Sequence, residues 1–497
     1  MFAFARGSPA TRPDHMKRLR QKAVRSLPWA VLESAGSAIF GFVSIFVLAR
    51  VLGPEVFGAA AVVIALVTIV EIMISSLFVD ALVQRRPLHI AHIDVAFVMV
   101  CAMSLLAATS IFAFAGPISM AYGDIGLKPL FQVATVSILF TGLSAVPGAL
   151  LTRKMRMKQL AIRSLLGRLV SIAITLGCAL NGYGAWSFVL GTVVGNGLVA
   201  GFLWTRMARK PRLRFSWPRL AELMRFGIFT GIEQSLWLAT SRVFTVIVGL
   251  SHTHAEVGYL NLAMRLVETL QGLIGGVTAR LALPLFSGLQ HDRADLKRAF
   301  LTASRITACV STPVFFGVAI LADVFLEALF DPRWAPAAEL VSLLSLAACG
   351  ALLFAFFGTY VKAIGRPELN LFGATVTFSL ATVGALLSSG HGVVIAASAY
   401  LLRLLFTVPF YLVLLSRIAG IRARDHFRII GPSLMAASLA SAVVWAVKLG
   451  SPIVLAPLVK LLMLGMLGGI TFIGCMIFLD AGTLRQFLSI GKRATSR

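Results

Sequence analysis

The chain consists of long apolar segments separated by short polar connections. Apolar segments begin near residues 27, 56, 92, 128, 159, 184, 222, 256, 299, 335, 367, 392, 428 and 453. Because a helix of about 20 residues crosses the hydrocarbon core of a bilayer, each segment is expected to form one crossing. The pattern predicts an all-α polytopic membrane protein with about 14 transmembrane helices.

Basic residues are concentrated in every second connection. They occupy the N-terminal segment, the connections at 153–158, 206–219 and 417–428, shorter connections between these, and the C-terminal tail. The alternate connections are neutral or acidic, for example around Asp124 and Asp331. Since Lys and Arg are retained on the cytoplasmic side of a membrane, an even number of crossings with both termini cytoplasmic is predicted.

The two halves of the chain share several positions when one is shifted by 200 residues. Glu33 then coincides with Glu233, Gly58 with Gly258, and Glu71 with Gln271. Chance is the alternative, because apolar sequence aligns easily with itself. The shift predicts two units of six helices with the same orientation, related by an axis along the membrane normal, and two extra C-terminal helices.

The predicted organisation follows from the crossings and the charges. It comprises a basic cytoplasmic N-terminus at 1–26, an N-lobe at 27–207, a cytoplasmic linker at 208–221, a C-lobe at 222–417, two further crossings at 428–480 and a basic cytoplasmic tail at 481–497.

Composition supports a membrane protein and changes the interpretation of the charge. The 497 residues are 58% hydrophobic and 13% charged, with a mean hydropathy of +0.89. A formal net charge of +25 could indicate a nucleic-acid partner, but the cations lie in short groups between apolar segments. We therefore expect no nucleic acid, and we interpret the charge as the cytoplasmic retention signal. The five cysteines lie in apolar segments without metal-ligand spacing, which indicates packing residues.

Five short patterns carry a family resemblance. They are LGPEVFG at 52–58, PGALLTRKMRMKQLA at 147–161, GYGAW at 182–186, DPRW at 331–334 and AIGRP at 363–367. Over roughly residues 27–420 the chain resembles the polysaccharide transporter family, the Wzx-type flippases of lipid-linked oligosaccharides, in the multidrug/oligosaccharidyl-lipid/polysaccharide (MOP) superfamily. The resemblance implies two six-helix bundles around a central cavity that works by alternating access.

The same resemblance implies a substrate and a location. The substrate would be an undecaprenyl-diphosphate-linked oligosaccharide repeat unit, flipped across the bacterial inner membrane for exopolysaccharide or O-antigen synthesis. A polysaccharide polymerase and a chain-length regulator are the implied protein partners. The resemblance does not identify the sugar.

Ionisable residues inside the apolar segments are the candidate site, because each costs at least about 2.5–3.5 kcal/mol at the bilayer centre without a partner or water. On the eighth segment Asn261, Arg265, Glu268 and Arg280 fall on one helical face, and Arg265 and Glu268 are close enough to pair. This face lines a wet cavity or, alternatively, makes a structural ion pair while Arg280 extends towards the cytoplasmic side.

The remaining candidates divide by charge. Arg242 and Arg403 join Arg265 and Arg280 as expected diphosphate contacts, because a guanidinium binds phosphate through two parallel hydrogen bonds. The acids are expected to line the cavity or to hold a coupling H⁺ or Na⁺, and otherwise to bond neighbouring helices; they are Glu33, Glu71, Glu233 and Glu268. Arg163 and Arg168 are interpreted as side chains that extend to the membrane surface.

Two other functions remain open from the sequence. A multidrug exporter of the same superfamily would share the fold but would need an apolar pocket. A membrane polymerase or ligase would need a large outer loop, whereas the longest outer connection has roughly a dozen residues. The chain has no phosphate-binding loop with a lysine, so we expect neither ATP hydrolysis, nor another enzymatic activity, nor a cofactor.

Overall fold

The computed structural model describes residues 12–85, 87–207, 209–287, 293–364, 366, 368–450 and 456–495. Within these ranges the chain is nearly all helical and contains no strand. The helices are α1 Arg12–Val51, α2 Pro54–Gln84, α3 Ile90–Ala121, α4 Leu127–Arg153, α5 Met157–Leu180, α6 Trp186–Thr205, α7 Trp217–Gly249, α8 His254–Ser287, α9 Arg293–Leu329, α10 Ala337–Leu353, α11 Phe357–Ala363, α12 Glu368–Leu387, α13 Val393–Leu402, α14 Leu404–Ala419, α15 Ala423–Gly450 and α16 Pro457–Thr495.

From α2 onwards, the helices that start a segment begin close to the predicted segment starts, whereas α1 begins at Arg12, well before the expected residue 27. The pairs α10–α11 and α13–α14 each form one interrupted segment, Ala337–Ala363 and Val393–Ala419. Over the described residues, 11 segments are long and apolar enough to cross a membrane. Helices α7 and α8 are not among them, and α1 contributes only the shorter apolar stretch Ala35–Val51. The all-α membrane fold is confirmed, and the number of about 14 crossings stays a prediction.

Helices α1–α6 and α7–α14 form two groups, here called the N-lobe and the C-lobe. In the N-lobe α2 and α3 pack on α4, and α5 packs on α1 and α6. In the C-lobe α12 packs on α7, and α10 packs on α8 and α9. Helices α15 and α16 pack on each other and on α9. The lobes meet where α2 contacts α7 and α8, and where α1 contacts α8.

One close contact between the lobes is reciprocal. A Cβ atom at Gly58 on α2 would overlap the carbonyl oxygen of His254, and one at Gly258 on α8 would overlap the carbonyl oxygen of Pro54. His254 and Pro54 are also 200 residues apart in sequence. Such an exchange of equivalent contacts is what a two-fold axis produces. The geometry therefore agrees with the repeat predicted from the sequence.

An apolar plug surrounds this crossing. It comprises six side chains from both lobes, each at most 5% exposed: Leu48, Phe57, Phe188, Phe244, Leu260 and Trp334. The Phe57 ring makes edge contacts with Trp334 and Phe188, with centroid distances of 5.0 and 4.9 Å. The buried indole Nε1 of Trp334 donates to the carbonyl oxygen of Ala49 at 2.8 Å. The plug thus joins the lobes at the end of the interface where α1 meets α2.

Candidate functional site: a charged cavity between the lobes

A polar cavity of about 570 Å³ lies between α1, α5 and α8, beside the apolar plug. We call it the central cavity. Helix α1 contributes Glu33, Ser37, Gly41 and Ser44, and helix α8 contributes Arg265, Glu268, Thr269 and Gly272. Both sets recur every three or four residues, which places each on one face of its helix. Part of the face predicted for α8 and the candidate acid Glu33 of α1 therefore meet in one cavity.

The charged groups of the central cavity are partnered across helices. Glu268 accepts a hydrogen bond from Arg242 Nη2 on α7 at 2.9 Å. The Arg265 guanidinium stands 5.4 Å from the ring centroid of Phe188, so it contacts the plug. Arg265 lines the same cavity as Glu268, but the ion pair found for Glu268 among the described residues is with Arg242.

Arg168 on α5 also lines the central cavity. Its Nη1 donates to the carbonyl oxygen of Ser37 at 2.8 Å, which joins α5 to α1. The interpretation of Arg168 as a side chain that extends to the membrane surface is wrong. Its position near the middle of α5 was a signal that could have identified it, since a residue so far from both helix ends rarely reaches the surface.

Asn261 does not share the cavity with the other residues of its predicted face. It is 4% exposed and packed within the protein. The side chain of Arg280 lies outside the described residues, so its predicted phosphate contact has no structural counterpart here.

Arg403 lies in a different place from the central cavity. It lines a C-lobe pocket of about 360 Å³ with Lys362, Asn370 and Tyr411. Arg403 lies at the junction between α13 and α14, and its guanidinium carbon stands 3.7 Å from the ring centroid of Tyr400. Its Nε atom is buried without a hydrogen-bond partner in the described part of the chain. The structure therefore separates Arg403 from Arg242 and Arg265.

Glu233 is buried inside the C-lobe and carries a charged partner. Lys362 Nζ stands 3.0 Å from Glu233 Oε1, and Asn370 donates to the same oxygen. The repeat pairs Glu233 with Glu33, but only Glu33 lines the central cavity. Equivalent sequence positions have thus acquired different surroundings.

Glu71 lies inside the N-lobe among neutral groups. It accepts hydrogen bonds from Ser137 and from Asn196 Nδ2, the latter at 3.3 Å. Asn196 also donates to Ser137 Oγ at 2.7 Å. Among the described residues no cation forms an ion pair with Glu71. The prediction that Glu71 lines the central cavity is wrong, because its contacts point into its own lobe.

The described residues contain no group of three or more His, Cys, Asp or Glu side chains that could hold a metal ion. The coupling ion predicted from the sequence, H⁺ or Na⁺, stays a prediction.

Comparison with known proteins agrees with this architecture. The model of a family described as polysaccharide biosynthesis protein matches residues 47–339. The succinoglycan biosynthesis transport protein ExoT of Rhizobium meliloti (strain 1021) is 26% identical over 365 residues, which are 73% of each chain. The teichuronic acid biosynthesis protein TuaB of Bacillus subtilis (strain 168) is 24% identical over 200 residues, 37% of this chain and 41% of that protein.

Two solved structures share the fold. The lipid II flippase MurJ, in an inward closed conformation, superposes with a TM-score of 0.75 at 14% identity, over 91% of this chain and 100% of that one. An inward-facing multidrug resistance transporter of the MATE family, in the MOP superfamily, gives a TM-score of 0.59 at 12% identity, over 79% of this chain and 98% of that one. At these identities the likeness concerns the fold alone.

Proposed function

The chain belongs to the polysaccharide biosynthesis protein family, and from this we propose that it flips a lipid-linked oligosaccharide across the bacterial inner membrane. The proposed substrate is an undecaprenyl-diphosphate-linked repeat unit for exopolysaccharide or O-antigen. A relative named as a succinoglycan biosynthesis transport protein supports the polysaccharide part of this proposal. The flippase fold supports the transport part.

The central cavity is the observation that carries the proposal. Arg265 and Arg168 line it at the interface of the lobes, and Arg242 approaches through its contact with Glu268. One guanidinium group can donate two parallel hydrogen bonds to phosphate oxygens, so a diphosphate is a suitable ligand. On arrival the diphosphate would compete with Glu268 for Arg242, and on departure Glu268 would recover its partner. An uncharged drug gives no reason for these arginines, which disfavours the exporter alternative.

We propose alternating access around the plug. The plug closes one end of the interface, and the central cavity lies beside it, with Arg265 and Glu268 half-buried in its wall. Export would require the plug to open and the lobes to close at the opposite end. Two negative charges that leave a cell with a negative interior gain roughly 4–5 kcal/mol at 100 mV from the membrane potential. The arginines would then lower the barrier rather than supply the driving force.

We assign coupling to the acids inside and between the lobes. Glu233 already has Lys362 as a counter-charge, whereas Glu71 has only hydroxyl and amide partners among the described residues. A carboxylate without a counter-charge at membrane depth is the more suitable place for exchange of H⁺ or Na⁺. Glu33, which lines the central cavity, is the third candidate because its environment changes when the lobes move.

We propose that both termini and the linker at 208–221 are cytoplasmic. Alkaline phosphatase fused after Arg212 or after Arg493 should then be inactive, because the enzyme folds only outside the cytoplasm. Active phosphatase at either position would overturn this topology without affecting the family assignment.

The function is tested with a deletion strain and with purified protein. The strain should accumulate lipid-linked repeat units on the cytoplasmic leaflet, and the intact gene should remove them. Purified protein in vesicles should move the repeat units between leaflets and leave their glycan length unchanged. Longer glycans in the vesicles would favour the polymerase alternative, and normal export by the deletion strain would contradict the flippase assignment.

A further inference from the structure

A second pocket lies at the end of the N-lobe opposite the plug. It has a volume of about 380 Å³ and is formed by the start of α3, the end of α4, the α4–α5 turn, the end of α6 and the first part of the linker. Six cations line it: Arg153, Lys154, Arg156, Arg206, Arg209 and Lys210. We call it the basic pocket. It faces the side predicted to be cytoplasmic.

Two of the six cations already contact other groups of the protein, and the other four can therefore bind a ligand. Arg153 donates to the carbonyl oxygens of Leu82, Val83 and Arg85, which closes the end of α2. Arg206 stands 5.3 Å from the Phe202 ring centroid. No acidic side chain in the described ranges forms an ion pair with any of the other four: Lys154, Arg156, Arg209 and Lys210.

The one carboxylate that lines the basic pocket already accepts a hydrogen bond from the linker. Asp94 is 3% exposed, and its Oδ1 accepts a hydrogen bond from the backbone N–H of Arg212 at 2.9 Å. This contact fixes the linker against α3. The exposed cations of the α4–α5 turn and those of the linker are therefore held close together. They repel one another unless an anion lies between them.

The pocket also has an apolar wall. Ile90, Ile93 and Leu150 line it beside the cations, and Ile90 is 49% exposed at the start of α3. A free phosphate or a nucleotide would leave this apolar surface in water. A phospholipid matches both parts, because its phosphate meets the cations while its acyl chains cover the isoleucines. Basic pockets between transmembrane helices on the cytoplasmic side are the usual sites for anionic headgroups.

We propose that the basic pocket binds the headgroup of an anionic phospholipid. The phosphate lies between Lys154 on the N-lobe and Arg209 and Lys210 on the linker. The bound lipid thereby connects the linker to the N-lobe at the point where the chain passes from one lobe to the other. This site is separate from the central cavity and does not depend on the flippase assignment.

The test uses the full-length protein in an uncharged detergent and counts bound lipids by native mass spectrometry. The triple variant Lys154→Gln, Arg209→Gln, Lys210→Gln is compared with the unaltered protein. The matched control is Arg417→Gln, Arg422→Gln, Arg424→Gln, which removes the same charge from three exposed residues at the end of α14, in the α14–α15 connection and at the start of α15. Each protein is titrated with dioleoyl phosphatidylglycerol, with dioleoyl phosphatidylcholine, and with phosphatidylglycerol in the presence of sodium pyrophosphate.

The unaltered protein should retain phosphatidylglycerol in preference to phosphatidylcholine. The pocket variant should bind phosphatidylglycerol at least about tenfold more weakly, and the control variant within about twofold of the unaltered protein. Equal retention of both lipids, or equal losses in the two variants, would overturn the proposal. Complete displacement by an equal concentration of pyrophosphate would show a site for the anion alone and would overturn the lipid assignment.

A folding defect is distinguished by a second variant. Lys154→Arg with Lys210→Arg keeps both charges and should retain phosphatidylglycerol binding within about twofold, because the headgroup is held by charge near the surface. The melting temperature of the glutamine variant without lipid should be no lower than that of the unaltered protein, since its three side chains are exposed and their mutual repulsion is removed. Loss of binding in the arginine variant would contradict the electrostatic basis of the site.

Discussion

The apolar plug and the central cavity occupy neighbouring levels of the same interface between the lobes, yet they are built in opposite ways. The plug is closed by the Gly58–Gly258 crossing and by large side chains such as Trp334. The central cavity contains Arg168, Arg265 and Glu268, and it stays open. Packing excludes water at one level, and charged groups that need water or a partner retain it at the next.

This difference indicates how one interface could serve both as a seal and as the binding site that we propose. The plug gains stability from contacts that are lost as soon as the lobes separate. The charges of the central cavity instead keep their hydrogen bonds to neighbouring helices, such as Arg242 to Glu268 and Arg168 to Ser37. Movement of the lobes would therefore break the plug first and leave the binding groups in place.

The largest expected effect comes from the glycine crossing. In the double variant Gly58→Ala, Gly258→Ala, each new methyl group meets a backbone carbonyl that cannot move aside. Overpacking costs about 1–3 kcal/mol per site, so the closed plug should become about 100-fold less populated and export should be lost. The measurement is secreted polysaccharide per unit of membrane-inserted protein.

The control for this variant is Gly177→Ala on α5, where a Cβ atom has no neighbour within 4 Å. Alanine favours a helix over glycine by up to about 1 kcal/mol, so the control should insert and export normally. Normal export by the double variant would show that the crossing does not close the interface.

Arg265→Ala is expected to have the second largest effect. Loss of a charge-assisted contact to phosphate costs about 1.5–3 kcal/mol, so export should fall by roughly 10- to 100-fold while the protein inserts at its normal level. Arg265→Lys should rescue only in part, because it keeps the charge and loses the paired hydrogen bonds. Unchanged export by Arg265→Ala would remove this residue from the binding site and leave the plug as the functional part of the interface.

Arg168→Ala tests the residue that the structure adds to the central cavity. The substitution removes a hydrogen bond to Ser37 and one positive charge at the cavity wall. A net loss of about 1 kcal/mol corresponds to a three- to tenfold decrease in export, smaller than for Arg265→Ala. An effect as large as that of Arg265→Ala would place both residues in direct contact with the cargo.

The smallest expected effect concerns the short segment that leads to Trp334 of the plug. Asp331 precedes Trp334, and hydrogen bonds from the side chain and then the backbone N–H of Arg333 hold the pKa of Asp331 below its ordinary value of 3.8. The folded protein therefore binds this proton less readily than the unfolded chain, so the stabilisation is present above about pH 3.8 and is lost as the pH falls through the lower folded value.

Asp331→Asn should consequently lower the melting temperature slightly at pH 7. The difference from the unaltered protein should disappear in melts recorded below the folded pKa of Asp331. A difference that persists at low pH would assign the effect to packing around Trp334 rather than to the charge of Asp331.

Much of the architecture could be predicted because the bilayer limits the possible structures. Every backbone polar group in hydrocarbon must be paired within its own segment, so apolar length predicts helices and their approximate ends. Apart from α11 and α14, which continue interrupted segments, the helices from α2 to α16 begin close to the expected residues, and the charges on alternate connections predict one orientation. The offset of 200 residues even identified Gly58 and Gly258, which prove to contact each other's helix.

The candidate site could be predicted only in part. Helical periodicity placed Arg265 and Glu268 on one face of α8, and the structure brings both residues into one cavity with Glu33. The same periodicity could not show that Arg403 occupies a separate pocket or that Arg168 reaches the central cavity. A period of 3.6 residues identifies a face of a helix but not the neighbouring helix that this face contacts.

By itself, then, the sequence determined the class of protein, the positions of its helices and the faces that carry charge. The tertiary structure decided the partner of each charge: Arg242 for Glu268, Lys362 for Glu233, and only neutral groups for Glu71 among the described residues. The physical reason is that lipid and protein interior are both apolar. Hydropathy therefore distinguishes membrane from water, but it cannot distinguish a helix face that meets lipid from one that meets another helix.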